Sequence, residues 1–196
     1  MFLAHVRAAL GGTVERVNCH PFHHGRWLFQ HNGAIPHFPE LKRELTFDIS
    51  PDLYPFVEGN ADSEVCFHLA LTYGLETDPK NAFARMVGRI EAARAEHGID
   101  EPFVGTFCAA DGESIHALRY SSDRSSRTLY HSVGHMRLTS ADHGGRIVLP
   151  DDGRIIVSEP LEPEYRDTHW AEIPEWSFVT VRAGAEPVVE DFEPAT

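Results

Sequence analysis

Thirteen histidines stand out in a chain of 196 residues, and three of them, His20, His23 and His24, crowd one short string, CHPFHHG. Imidazoles at close spacing are common zinc ligands, so metal chemistry is the first possibility to weigh. A zinc site on one element pairs two histidines at helical or hairpin spacing with a third ligand in a recognisable frame. Here a proline interrupts a loop-like string, and no metal is expected. Nucleophilic or redox chemistry would call on Cys19, Cys66 and Cys108. Their odd number, wide separation and lack of a CxxC pair fit reduced, mostly buried thiols better than a disulfide framework. Cys66 in particular reads as a small buried hydrophobe. The string WLFQHNG, residues 27–33, ends on Asn32 and Gly33. Both tolerate positive φ, so by themselves they read as a turn.

These residues need elements to hold them. FLAHVRAA (2–9) has the apolar and β-branched content of a strand, broken by GGT, and GRWLFQHNG supplies a second strand bounded by glycines. Trp27 and Phe29 are expected to face the core, with an irregular loop carrying NCHPF before them. PELKREL reads as a short helix with Pro39 in its first turn, followed by a loop through Pro51 and Pro55. GNADSEV opens the first long helix: Asp62 caps it, Glu64 adds favourable charge to its first turn, and Val65, Leu69 and Tyr73 continue it until Gly74. A second follows, with Asp78 as cap, Pro79 at its first position, Phe83, Met86, Val87 and Ile90 at helical spacing, and Gly98 at its end. After Pro102 the pattern turns to strands. FVGTFCAA and ESIHALRY form a hairpin across a two-residue Asp111-Gly112 turn, RTLYHSVG continues, GRIVLP and RIIVSEP pair across DDG, and WSFVTVR comes last. The acidic tail EPVVEDFEPAT is expected to fray. Many antiparallel strands with two long helices predict an α+β architecture, helices packed on antiparallel sheet.

Hydrophobic residues make up 42% of the chain, and no Pro/Gly/Ser-rich linker divides it, so 1–196 is expected to be a single domain. Seventeen basic against 30 acidic residues leave a formal charge of −13, a surface that repels phosphate backbones and anionic headgroups. Neither nucleic acid nor a membrane is an expected partner. No apolar run reaches bilayer length, and Met1 leads directly into FLAHVRAAL without a basic n-region or a small-residue cleavage site. A cytoplasmic protein is expected.

Four separated strings matter together: HVR at 5–7, NCHPF at 18–22, FQHNG at 29–33 and GNADSEV at 59–65. In this order and at these spacings they resemble the glutaminase domain of the class II glutamine amidotransferases, N-terminal nucleophile hydrolases with a four-layer αββα sandwich. VSEPL and IPEWSFVTVR are similar to the smaller stand-alone branch of that family, which includes γ-glutamyl amide hydrolases. The resemblance implies hydrolysis of glutamine or a γ-glutamyl amide through a cysteine thioester, without a cofactor, and with a separate acceptor enzyme as one destination for the ammonia. Such a substrate presents a carboxylate, an ammonium and a side-chain amide, and needs a fixed cation, a fixed anion and donors aimed at the amide oxygen. Arg7 matches the family arginine on the α-carboxylate, Asp62 the receiver of the α-ammonium, and His20 a histidine near the carboxylate. The Asn32 side-chain amide and the Gly33 N–H match the oxyanion hole.

The family nucleophile is a cysteine at the mature N terminus, whose α-amine serves as its base. Met1 is followed here by Phe2, and Cys19 lies inside the NCHPF loop with no free amine. The expectation is therefore a fold that is N-terminally incomplete and inactive in hydrolysis as it stands. A glutamine- or γ-glutamyl-binding sensor or subunit is the alternative function. Missing strands would leave a sheet edge and apolar surface uncovered, so the expectation is either poor solubility or a compensating homodimer.

Overall fold

A computed structural model describes residues 1–6, 15–134, 137–139, 146–148, 150, 152–161 and 166–196. Residues 2–6 carry no regular structure, and 7–9, the rest of the first expected strand, lie outside the described residues. Phe2 and Val6 are exposed while Leu3 packs half-buried against the sheet's smaller core and His5 against His20, so the segment lies on the molecule through alternate side chains without pairing as a strand. After one 3-10 turn at Arg16–Asn18, the first strands form a hairpin, β1 (Phe22–His24) and β2 (Trp27–Ala34), turning at Gly25 with φ +56°. The end of the expected loop is thus a short edge strand, because Phe22 pairs with Phe29 and buries against the core.

Three helices follow. α1 (Phe38–Phe47) starts with Pro39 in its first turn. α2 (Asp62–Thr72) is buried along nearly its whole length, and α3 (Pro79–Glu96) begins where the Asp78 carboxylate accepts the Asn81 N–H at 3.1 Å. β3 (Val104–Ala110) and β4 (Ser114–Ser121) form the expected hairpin, but its turn is wider than two residues. Asp111 Oδ1 accepts the N–H groups of Glu113 and Ser114, an Asx arrangement that takes in one more residue. Short strands follow: β5 (Tyr130–Ser132), β6 (Arg137–Thr139), β7 (Arg146–Val148) and β8 (Ile156–Val157), then α4 (Arg166–His169) and β9 (Trp170–Glu172). Among the described residues the pairing expected across DDG is absent. The Gly153 N–H does reach the Pro150 carbonyl at 2.8 Å, but β7 pairs with β6 and β8 with β5, so the partners each strand finds elsewhere decide the pairing. β10 (Ser177–Arg182) and β11 (Val188–Asp191) complete the chain. The tail is not frayed: β11 pairs with β10 and the Phe192 side chain is fully buried, which anchors it.

The main sheet is antiparallel with strand order β1-β2-β3-β4-β10-β11. Alternation along its strands sends Phe29, Phe107, Leu118 and Phe178 to one face, where they join Leu69, Phe83, Met86 and Ile90 of the helices in the larger core. The opposite face carries Cys108, Ala117, Val179 and Val181, packed with Leu129 and Ile173, which flank the smaller β8-β5-β9 sheet. The α+β expectation therefore holds, with helices on one side of the sheet and further strands on the other. Trp27 and Phe29 face the helix-side core as the pattern implied.

Candidate functional site

The end of β2 is where the expected oxyanion residues lie, and they lie inside a strand. Asn32 pairs with Thr106 and Gly33 with Gly105 of β3, so the Asn-Gly pair is not a turn. The neighbouring β3 supplies ladder partners, and these override the local turn preference. Gly33 is needed for a different reason: a Cβ there would come within 1.9 Å of the Val104 carbonyl oxygen and 2.6 Å of His31 Nε2. Alternation sends His31 to the helix-side core and Asn32 to the opposite face, which it shares with its partner Thr106. On that face, Gln30 Oε1 and the buried Thr106 hydroxyl find no hydrogen-bond partner among the described residues. The sequence patterns drew no attention to either.

Asp62 stands just beyond this strand end, on the first turn of α2. Ala61, in extended conformation, occupies the cap position, and Asp62 is the first helical residue. Its carboxylate therefore reaches sideways instead of capping its own helix. Oδ2 accepts the Ile35 N–H at 3.0 Å, pinning the backbone after β2, while Oδ1 faces the Ser63 N–H at 2.7 Å and the Ser63 hydroxyl at 3.1 Å. Ser63 Oγ lies in turn 3.1 Å from His31 Nδ1, and His31 Nε2 is 3.1 Å from the Val104 carbonyl. Burial holds the His31 imidazole below its ordinary value, against the opposing pull of Asp62. The FQHNG and GNADSEV strings are thus joined by a continuous hydrogen-bonded path.

A second path joins GNADSEV to NCHPF. Both oxygens of the buried Glu64 carboxylate accept backbone N–H groups, from Glu58 and Gly59, each at 2.8 Å. Asn18 Oδ1 accepts the Asn60 N–H at 3.0 Å. Gly59 fits between them, where a Cβ would lie 2.5 Å from Asn18 Oδ1. The role read for Glu64 from the sequence, favourable charge in a helix's first turn, omits this clamp. Its signal is a carboxylate six residues after the start of a Glu-Gly-Asn loop. His20, in the loop carrying Asn18, packs between His5 at 4.4 Å and Phe22 at 4.8 Å between ring centroids. Arg7 lies outside the described residues. Asn32, Gly33 and Asp62 are therefore gathered at one end of β2, and the His20 loop is tied to the same assembly through Asn18.

All three cysteines are free. Burial pushes the Cys66 thiol well up and the Cys108 thiol up to about 12, far from thiolate chemistry at neutral pH. Cys19 is exposed, its thiol pointing to the Glu15 carbonyl at 3.6 Å. Among the described residues no group of three His, Cys, Asp or Glu side chains could hold a metal ion, and no helix is long and apolar enough to cross a membrane.

Helices lie on one face of an antiparallel sheet and further strands on the other, with a helix-start carboxylate bonded to the backbone just past the end of β2. The fold is that of the N-terminal nucleophile amidotransferase domains. It aligns with the glutamine phosphoribosylpyrophosphate amidotransferase of Bacillus subtilis at a TM-score of 0.61 and 16% identity, over 96% of this chain and 34% of that one. The sequence carries the assignment further. Residues 1–194 match the class-II glutamine amidotransferases, and the chain belongs to that family. A class-II glutamine aminotransferase domain protein from Silicibacter pomeroyi is 33% identical, with a TM-score of 0.74 over 93% of this chain and 74% of that one. The probable glutamine amidotransferase DUG3 of Saccharomyces cerevisiae is 28% identical over 98% of this chain, which spans 60% of that protein's length.

Proposed function

We propose that this chain binds glutamine, or a γ-glutamyl amide, and presents its side-chain amide for hydrolysis. Asp62 receives the α-ammonium and Arg7 forks onto the α-carboxylate, with His20 beside it. The Asn32 carboxamide and the Gly33 N–H receive the oxyanion. In this family's reaction a cysteine thiol attacks the amide carbon, ammonia leaves, and water releases glutamate from the thioester. The two donors stabilise the tetrahedral intermediates on either side of that thioester. Cys66 and Cys108 are too buried to serve as the nucleophile, and the family pattern assigns that task to an N-terminal cysteine. The ammonia then goes to a separate acceptor enzyme or to solvent. Three free thiols are compatible with work in the reducing cytoplasm.

One observation carries this reading: the Asp62 carboxylate is held against the end of β2 by the Ile35 N–H, beside Asn32 and Gly33. An ammonium receiver and an oxyanion donor pair at that juxtaposition are what the two ends of a glutamine require. Calorimetry with L-glutamine tests it. Saturable binding is expected, weakened tenfold or more in Asp62→Asn and in Arg7→Ala, as loss of a charge-assisted bond entails. Absence of saturable binding at millimolar glutamine, or wild-type affinity in either variant, would refute the assignment.

A further inference from the structure

The Ser63 hydroxyl has one proton and two acceptors in reach, His31 Nδ1 and Asp62 Oδ1, each at 3.1 Å. Which one it serves follows from the imidazole. The Val104 carbonyl can only accept, so the ring nitrogen 3.1 Å away, Nε2, carries the proton. In the neutral ring Nδ1 is then a bare acceptor, and the Ser63 proton turns to it. Asp62 Oδ1 is left with the Ser63 backbone N–H alone. The ring has little freedom to change this. It stacks on Phe107 at 4.5 Å and 20°, meets the edge of Phe103, and lies so close under Gly33 that a Cβ there would be 2.6 Å from Nε2.

We propose that His31 and Ser63 are positioning residues for Asp62: the neutral His31 draws the Ser63 hydroxyl away from the carboxylate and leaves Oδ1 open to a ligand ammonium. The inference rests on Asp62 being the ammonium receiver, as proposed above. When His31 takes a proton, Nδ1–H donates to Ser63 Oγ, the hydroxyl swings to Asp62, and a cation stands behind it. Both changes compete with the ligand ammonium. The groups facing the imidazole are Asp62 and Ser63 from α2, the Val104 carbonyl, Phe103 and Phe107 from β3, and Gly33 on its own strand. Cys66, one turn along α2, feels the same carboxylate and stays a neutral thiol. Asp62 is thus the charge that speaks to His31, and burial opposes it. One residue of FQHNG therefore serves both halves of the site, since the ring that orients Ser63 also braces Gly33.

The test uses the whole chain labelled with 15N-histidine. At neutral pH, NMR should show His31 as the Nε2–H tautomer, with a protonation midpoint below that of free histidine. Asp62→Asn should lower that midpoint further, and Ser63→Ala should shift the Nδ1 signal while Ser63→Thr restores it. These readings need no ligand and no activity. L-glutamine titrations across the midpoint should then lose about tenfold in affinity as His31 protonates. In His31→Gln the amide is a permanently neutral stand-in, donating to Val104 and accepting from Ser63, and the pH dependence should flatten. An Nδ1–H tautomer, or a midpoint indifferent to both Asp62→Asn and Ser63→Ala, overturns the inference. So does a glutamine affinity whose pH profile is the same in wild type and His31→Gln. Expected NMR behaviour with no glutamine binding at any pH upholds the coupling and refutes instead the proposed role of Asp62 as an ammonium receiver.

Discussion

Replacing Gly33 with alanine adds one methyl group, and the structure says where it must go. The new Cβ would lie 1.9 Å from the Val104 carbonyl oxygen, 2.7 Å from its carbon and 2.6 Å from His31 Nε2. Carbon atoms do not sit within 3.0 Å of such neighbours, so something must retreat by about 1 Å. Two of the three obstructions are backbone of β3, which pairs with β2 through seven consecutive residue pairs and cannot swing aside as a side chain would. The third is the buried imidazole that holds Ser63. Overpacking of this kind costs about 1–3 kcal/mol, and the rigidity of both neighbours places this case near the upper end. For a chain of this size about 3 kcal/mol is a loss of roughly 6–12 °C in Tm. The assay is thermal unfolding followed by circular dichroism, paired with glutamine titration. Binding should weaken beyond what the stability loss explains, because the Gly33 N–H and the Asp62 path shift together. A Gly33→Ala protein melting within about 1 °C of wild type would refute the reasoning, since no version of the observed pairing accommodates the methyl group for free.

Three further outcomes are expected. Glu64→Gln replaces one of two acceptor oxygens with a donor aimed at a backbone N–H, at a cost of about 1–3 kcal/mol, and amide hydrogen exchange at Glu58 and Gly59 should accelerate well ahead of exchange in α3. Phe192→Ala removes a fully buried ring and should cost about 3–5 kcal/mol by urea unfolding; a tail that were frayed would lose almost nothing. Burial depresses His31, His68 and His116 below the ordinary imidazole value of 6.5, so the unfolded chain takes up these protons first. Their neutral burial is unopposed above about pH 6.5, and stability declines as pH falls from there toward their folded values. The exposed His37, raised by Glu40 and Glu101, works weakly in the other direction. A urea midpoint lower at pH 5.5 than at pH 7.5 is expected, and an unchanged or higher one would count against this account.

What could be read from the sequence depended on how local the cause was. α3 was legible in full, because Asp78, Pro79 and the Phe83-Met86-Val87-Ile90 spacing act within a few residues of one another. The β3–β4 hairpin was legible for the same reason, apart from the turn's width, which hinges on the side chain of Asp111. The DDG pairing failed because strand partners are chosen by distant segments: β8 meets β5 some 25 residues upstream in the chain. The tail misled because its acidic residues suggested solvent, whereas the single ring of Phe192 decides its place. At the site, residue types pointed to Asn32, Gly33 and Asp62, but not to what binds them together. Ser63 carries no signal by itself, Glu64 reads only as favourable charge in a helix's first turn, and His31 has no role assigned by the sequence. Only the alternation of a paired strand reveals that its ring and the Asn32 amide face opposite ways.

That alternation ties folding fidelity to chemistry. If β2 slipped by a single residue against β3, the imidazole would be thrown to the far face and a carboxamide forced into the stack with Phe107 and Phe103. The same error would strand the Ser63 hydroxyl and bring a Cβ against the Val104 carbonyl. Misaligned chains would thus lose core packing and site geometry together. For anyone engineering this strand, the implication is that expression yield already reports on register: a variant that accumulates as soluble, cooperatively melting protein has kept its β2 alignment, and a lost glutamine affinity in one that does not says nothing about the side chain replaced.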